Sequence, residues 1–316
     1  MTIERCQVRS ATRQVESVTR VSASAIKPVM LGRVLVVAGS DSGGGAGIQA
    51  DIKTITALGG YAMSAVTALT AQNTCGVHGI FPVDPEFVGR QIDCVLDDIG
   101  ADAIKTGMLL CADTIEVVVR ALRRRGSGIP LVVDPVMVAK GGAALLDAAA
   151  VHTLKRHLIP MASLLTPNIP EAEVLTGLSI KGPEDLDAAM DGLIALGAGA
   201  VLLKGGHLPG DEIIDVLRTM DGDEMRVSHS RLSTTSTHGT GCTLASAIAA
   251  GLAEGLRLTD AIVLAERYVR DAIRFAPGFG KGHGPLDHAF RLRTKNQEGS
   301  ELELTGSSSP VPTGNA

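Results

Sequence analysis

Val34-Leu35-Val36-Val37-Ala38-Gly39-Ser40-Asp41-Ser42-Gly43-Gly44-Gly45-Ala46-Gly47 opens the regular part of the chain. Its apolar run reads as a strand buried on both faces, and the glycine-rich loop then feeds a helix over 47–58. Strand, loop and helix in that order are the start of a βαβ unit, whose next strand must be reached by a right-handed helical crossover. The loop sits where a dinucleotide fingerprint or a P-loop would sit, yet it matches neither. Its glycines miss G-x-G-x-x-G spacing, and no Gly-Lys-Ser/Thr follows. What remains is a backbone-rich loop that can approach a substrate closely or hinge over it.

Working outward, the same rhythm repeats. Strands are expected over 61–67, 103–105, 131–134, 163–165 and 200–204, and helices over 84–98, 112–125, 148–158, 170–176 and 183–196. Two strands, 212–218 and 224–229, flank Asp221-Gly222, a hairpin signal. Helices over about 241–256 and 259–275 follow. This alternation predicts an α/β fold with a central, mostly parallel sheet and helices on both faces, in one domain over 31–292. Ligands of such sheets lie beyond the carboxyl ends of the strands, and polar motifs cluster there: after 38, 134, 165 and 204, and before 242.

Composition narrows the function classes. The 316 residues are 45% apolar, with five Phe, two Tyr and no Trp, so the core is aliphatic and few stacking platforms exist for single-stranded nucleic acid. A net charge of -5 offers no basic footprint for nucleic acid, and no apolar run approaches membrane-spanning length. Cysteines at 6, 75, 94, 111 and 242 form no C-x-x-C pair, which suggests neither zinc site nor disulfide framework and points to a cytoplasmic protein. Residues 1–29, rich in Ser, Thr and Arg, read as a disordered leader, with Met30 a candidate initiator; residues 293–316 read as a disordered tail.

Several motifs carry chemistry. Thr237-His238-Gly239-Thr240-Gly241-Cys242 is a small-residue turn into a helix N-terminus, where backbone amides and the helix dipole favour an anion. Its plainer reading is a tight loop with Cys242 as a core residue. Gln72-Asn73 supplies an amide that can pair with a heterocycle or cap a loop. Asp134 ends a strand with a carboxylate that caps the next element or holds Mg²⁺ through water. Asn168 and Glu171 surround a helix start, where ordinary capping is the simpler reading. Lys204-Gly205-Gly206-His207 suits a polyphosphate. Taken together these are the parts of a phosphotransferase without a Walker motif. An attacking hydroxyl needs a base, and Cys242 is the one titratable residue in the Gly-Thr-Gly turn; the helix N-terminus and His238 are expected to lower its pKa toward neutrality.

Gly43 to Thr54, Thr70-Ala71-Gln72-Asn73-Thr74, Lys105-Thr106-Gly107-Met108-Leu109, Asp134-Pro135-Val136-Met137, Leu165 to Ala172, Leu203 to His207, Thr237 to Thr243 and Gly282-His283-Gly284-Pro285 resemble the bacterial hydroxymethylpyrimidine/phosphomethylpyrimidine kinases, of the ribokinase-like superfamily. The resemblance covers about 33–290. It implies ATP- and Mg²⁺-dependent phosphorylation of 4-amino-5-hydroxymethyl-2-methylpyrimidine and then of its monophosphate, at one site. It also implies that Gln72, Gly39, Met108 and Val136 contact the pyrimidine and that Lys204, Asn168, Glu171, Thr240 and His238 contact the nucleotide. Glu171 and Asp134 would serve the metal through Mg-ATP, Gly239 and Gly241 would form the anion hole, and Cys242 would take the place of the Asp in sugar kinases of the superfamily. A homodimer is implied by the same analogy. The alternatives are a pyridoxal or pyridoxine kinase, since some of these also carry Cys, and a non-catalytic binding protein of the same fold.

Overall fold

The computed structural model describes residues 31–138 and 146–293. Strand β1 (Arg33–Asp41) is buried along almost its whole length, and α1 (Gly47–Ala57) carries the chain to β2 (Tyr61–Asn73), parallel to β1 with Val34 beside Ala62. Strand β3 (Gly76–Pro82) then turns back antiparallel on β2. Next come α2 (Pro85–Asp98), β4 (Ala103–Thr106), α3 (Ala112–Arg125), β5 (Leu131–Val133), α4 (Ala148–Thr153), β6 (Leu164–Leu165), α5 (Ile169–Thr176), α6 (Leu186–Ile194) and β7 (Ala200–Leu203). Strands β4 to β7 continue the parallel sheet from β1. The expected hairpin, β8 (Glu212–Thr219) and β9 (Glu224–Ser230), extends it antiparallel, and α7 (Thr240–Ala253) and α8 (Leu258–Arg274) follow.

Among the described residues the sheet has nine strands in the order β3-β2-β1-β4-β5-β6-β7-β8-β9. Alternating side chains of β1 divide it into two cores. Leu35 and Val37 pack with Ile92 of α2, Ile115 of α3, Leu175 of α5 and Leu193 of α6; Val34, Val36 and Ala38 pack with Ile55 of α1, Ile248 of α7 and Ala265 of α8. That is why strands of this sheet read as unbroken apolar runs. After β2 the chain returns to the other side of β1 to form β4, so the order reverses between β1 and β4. A crevice beyond the carboxyl ends is expected at that point.

Three local expectations need correction. Gln72 and Asn73 lie in β2 rather than in a loop, because β2 runs on past Thr67 to pair with β3, a strand that the glycines and proline of Gly76–Pro82 hide. The helix expected over 148–158 is a six-residue α-helix, then a π turn at Leu154–Leu158 and a 3-10 turn at Ile159–Met161, where Pro160 stops regular helix. The helix expected over 183–196 begins as a 3-10 turn, Pro183–Asp185. The leader 1–29 and, apart from Arg293, the tail 293–316 lie outside the described residues.

Candidate active site

The crevice at the β1/β4 reversal is lined by Gly39, Asp41, Thr70, Gln72, Lys105, Met108, Asp134, Val136, Asn168, Glu171, Lys204, His238, Gly239, Gly241 and Cys242, among others. Every residue expected at the site lines it except Thr240. That hydroxyl donates to the Thr237 carbonyl at 2.8 Å and so closes the turn before α7.

Asp41 organises the glycine loop. Its carboxylate accepts from the backbone N–H of Gly43 at 2.8 Å, Gly45 at 3.0 Å and Ala46 at 2.8 Å, and from His238 Nε2 at 2.9 Å. Burial alone would raise this acid, but His238 and the amides of Ala46 and Gly43 hold it below the usual carboxylate range. His238, which the resemblance implies contacts the nucleotide, therefore faces the glycine loop through its Nε2. Its Nε2 proton is committed to Asp41, which leaves that nitrogen no lone pair for the Gln72 amide nitrogen 3.2 Å away. Gln72 Oε1 accepts from the Thr70 hydroxyl at 3.2 Å, so the amide is held at that end and its nitrogen is the group left for a ligand. Behind His238, its own N–H donates to the Gly284 carbonyl at 3.0 Å, which gives the late Gly282-His283-Gly284-Pro285 motif its place.

The α7 turn is built on Gly239, the N-cap, at φ +84°, and no side chain caps the helix. A Cβ at Gly239 would strike the Gly45 carbonyl, so the two glycine turns interlock and only glycine serves here. A Cβ on Gly241 would meet Lys204 Nζ at 3.3 Å, which places the open helix N-terminus directly beside that ammonium. Lys204 Nζ donates to Asp134 Oδ1 at 3.1 Å. Burial disfavours the ammonium, but Asp134 and Glu171 outweigh it and raise its pKa. Asn168 and Glu171 form a reciprocal capping box at 2.9 Å each way, so the simpler reading of this pair holds geometrically. The box also fixes Glu171 beside Lys204. Burial pushes the Glu171 acid up to about 7, with Lys204 opposing and Asp134 adding to the rise.

Under the cleft lies a pair that the sequence reading left without a role. Lys105 of β4 and Asp51 of α1 are both fully buried, with Nζ 3.0 Å from each carboxylate oxygen, and Ser246 of α7 donates to Asp51 at 2.6 Å. A lysine inside the buried strand Ala103–Thr106 and an aspartate on the apolar face of α1 are the available signals, since each demands a partner. For Asp41 the signal is an Asx residue immediately ahead of a glycine run. Cys242 is half-buried at the first turn of α7. Burial pushes its thiol up to about 12; Lys105 pulls down, Asp51 and Asp134 push further up, and the Gly47 N–H helps the thiolate only slightly. Burial, with Asp51 and Asp134 adding to it, thus runs against the lowering expected from the helix N-terminus and from His238, whose ring is engaged by Asp41.

Met108 and Val136 form apolar wall on the Gln72 side, and a Cβ at Gly39 would run into the Met108 methyl. The cleft therefore combines an apolar wall and a side-chain amide with a helix N-terminus, a lysine and two carboxylates. Cys242 lines the same cleft. That arrangement can hold a hydroxyl against a polyphosphate.

Residues 41–287 match the phosphomethylpyrimidine kinase family. The thiamine biosynthesis bifunctional protein ThiED of Geobacter sulfurreducens is 55% identical over 265 residues, 83% of this chain but 53% of that protein. The hydroxymethylpyrimidine/phosphomethylpyrimidine kinase of Bacillus subtilis is 49% identical over 267 residues, 84% of this chain and 97% of that one. Among solved structures, an ADP complex of Bacillus subtilis pyridoxal kinase superposes with a TM-score of 0.77 at 36% identity, covering 83% of this chain and 99% of its own. The fold is the ribokinase-like one that the motifs led us to expect.

Proposed function

The chain belongs to the phosphomethylpyrimidine kinase family, and from that premise we infer that it is an ATP-using hydroxymethylpyrimidine and phosphomethylpyrimidine kinase of thiamine biosynthesis, with residues 31–292 as its kinase domain. One observation carries the reading to the site: Gln72, Met108, Val136 and Cys242 line the same cleft as Lys204, Asp134 and Glu171. The Gln72 amide offers a donor and an acceptor to an aminopyrimidine edge, while Met108 and Val136 cover the ring. Lys204 and the N-terminus of α7 at Gly239 and Gly241 receive the β- and γ-phosphates and the charge that develops on transfer.

Mg²⁺ fits this donor set. Asp134 and Glu171 are hard oxygen ligands, crowded closely enough that Asp134 raises the Glu171 acid, and a divalent ion would relieve that crowding. Bound there with ATP, it would neutralise charge on the transferring phosphoryl group. The rest falls to the chain's own residues. With burial raising its pKa, the Cys242 thiol acts here by orienting the acceptor hydroxyl at the mouth of the anion hole. The hydroxyl proton passes late to a phosphoryl oxygen, as a loose transition state allows.

The test is ATP turnover by the purified chain with Mg²⁺, offering hydroxymethylpyrimidine, its monophosphate, pyridoxal and ribose separately and resolving mono- from diphosphorylated product. Conversion of the pyrimidine through to the pyrophosphate is expected, with the two pyrimidines competing for one site. A preference for pyridoxal, which the structural similarity to a pyridoxal kinase makes the strongest rival, would move the protein to vitamin B6 salvage. No turnover would leave a binding protein.

A further inference from the structure

Outside the cleft, three residues on three elements converge. One ligating atom each of Asp215 on β8, His229 on β9 and Glu266 on α8 lies within 4.8 Å of the others. All three occupy positions where the pattern calls for apolar side chains. Along the hairpin, Leu217, Met225 and Val227 alternate with outward residues and pack on the core that α7 and α8 cover, and Asp215 and His229 continue that inward series. Glu266 sits among Ala261, Ile262, Ala265, Tyr268 and Val269 on the buried stripe of α8. Polar groups there cost stability unless they are partnered.

Their partners within the protein are incomplete. Asp215 Oδ1 accepts from the Gly205 N–H at 2.7 Å, while His229 Nε2 is 3.5 Å from Glu266 Oε2, beyond good hydrogen-bonding distance. Glu266 is only 8% exposed, and its Oε1 has no hydrogen-bond partner; buried His229 Nδ1 has none either. Two carboxylates thus meet one imidazole, with lone pairs to spare.

We propose that Asp215, His229 and Glu266 form a site for a divalent transition ion of the zinc class, tying β8, β9 and α8 together behind the Lys204-Gly205 turn. Two carboxylate oxygens and one imidazole nitrogen are a zinc donor set with a fourth position left for water, and the nitrogen disfavours calcium and magnesium. Metal–ligand bonds of about 2.0–2.2 Å need the donors to close by roughly 1 Å, within the reach of side-chain rotation. Asp215 would then bridge the ion and the Gly205 N–H, one residue from the lysine of the cleft. The rival is a proton shared between the carboxylates: burial, then the Glu266 charge, push the Asp215 acid up to about 8. A proton, however, joins only two of the three residues, whereas one ion can take a donor atom from each.

The test uses the full chain carrying Cys75→Ser and Cys94→Ser, which removes two exposed thiols that bind zinc adventitiously. After chelator treatment it is titrated with ZnCl₂ and with CoCl₂ in the absence of nucleotide. One ion per chain is expected, with the visible d–d bands of a four- or five-coordinate cobalt and a zinc-dependent rise in unfolding midpoint. His229→Ala and Asp215→Asn should each weaken binding by at least about tenfold and abolish the midpoint shift. Should those variants not fold, anomalous diffraction from zinc-soaked crystals of the parent decides, by a peak among the three side chains or elsewhere. Absence of stoichiometric binding, affinity unchanged in both variants, or a peak elsewhere overturns the proposal and leaves the shared proton. None of these readouts depends on kinase activity.

Discussion

Cys242 concentrates the chemistry of the cleft, and its surroundings decide what it can do. A thiol at a helix N-terminus is ordinarily acidified, but this one has Asp51 and Asp134 nearby and Lys105 as its main positive neighbour, itself paired to Asp51. Burial wins, and the pKa rises to about 12. Iodoacetamide at pH 7 should therefore label exposed Cys75 and Cys94 before Cys242, read by peptide mass spectrometry. Kinetics separate orientation from base catalysis. Cys242→Ala should lower kcat by about 100-fold, at the lower end for loss of a proton-handling group, and leave pyrimidine affinity nearly unchanged. Cys242→Ser should stay within about tenfold of the parent, since a hydroxyl can also orient the acceptor. Equal losses in the two variants would restore the thiolate base. At this scale the sequence spoke clearly wherever backbone geometry does the work, as at Gly239 and Gly241. The pKa of Cys242 was not legible there, because it depends on burial and on groups remote in sequence: Asp51 lies on α1 and Asp134 after β5.

Elements are tied beneath the cleft by one carboxylate, since Asp51 on α1 receives Lys105 from β4 and Ser246 from α7. Removing one member of a fully buried pair strands the other charge, so Asp51→Ala should destabilise by about 3–5 kcal/mol in urea unfolding. The double change Asp51→Leu with Lys105→Met should recover most of that loss; failure to recover would mean that the hydrogen bond from Ser246 dominates. A second tie responds to pH. Buried His288 has Nε2 3.0 Å from the Thr243 hydroxyl of α7, and burial, helped by Lys53, pushes its pKa down to about 4. The unfolded chain binds this proton near pH 6.5, so its contribution is complete above 6.5 and is lost as pH falls toward 4. The loss is on the order of 3 kcal/mol. In His288→Gln the fall in unfolding free energy between pH 7 and pH 4 should shrink by about that amount, and an unchanged acid limb would show that His288 is not its source. The elements themselves were legible because apolar periodicity is local. Strand β3 was not, since its pairing with β2 is tertiary and Gly76, Gly79 and Pro82 dilute the pattern.

Across the whole molecule the sheet ends in two unlike edges. Strand β9 exposes Glu224, Arg226, Ser228 and Ser230 along one face, polar residues that discourage pairing with another chain. At the other end, the β2–β3 ribbon projects beyond the parallel sheet with Leu69 at 49%, Ile80 at 38% and Phe81 at 69% exposure. Leu69 lies opposite Phe81 on one face of the ribbon and Ile80 stands on the other, so the ribbon exposes apolar surface that a second copy could cover. The same ribbon carries Gln72 and Val77 to the cleft, so a second copy packed there would also steady the substrate side. If the chain forms the homodimer that the resemblance implies, this end of the sheet is the surface expected to mediate it. Sedimentation velocity at micromolar concentration should give a dimer, and Phe81→Asp should shift it to monomer with at least about a hundredfold weaker association, because a charge is then buried without a partner. Arg226→Ala at the opposite edge should leave the dimer intact. A parent chain that sediments as a monomer, or a Phe81→Asp variant that remains dimeric, would place association elsewhere and leave the apolar ribbon without an occupant.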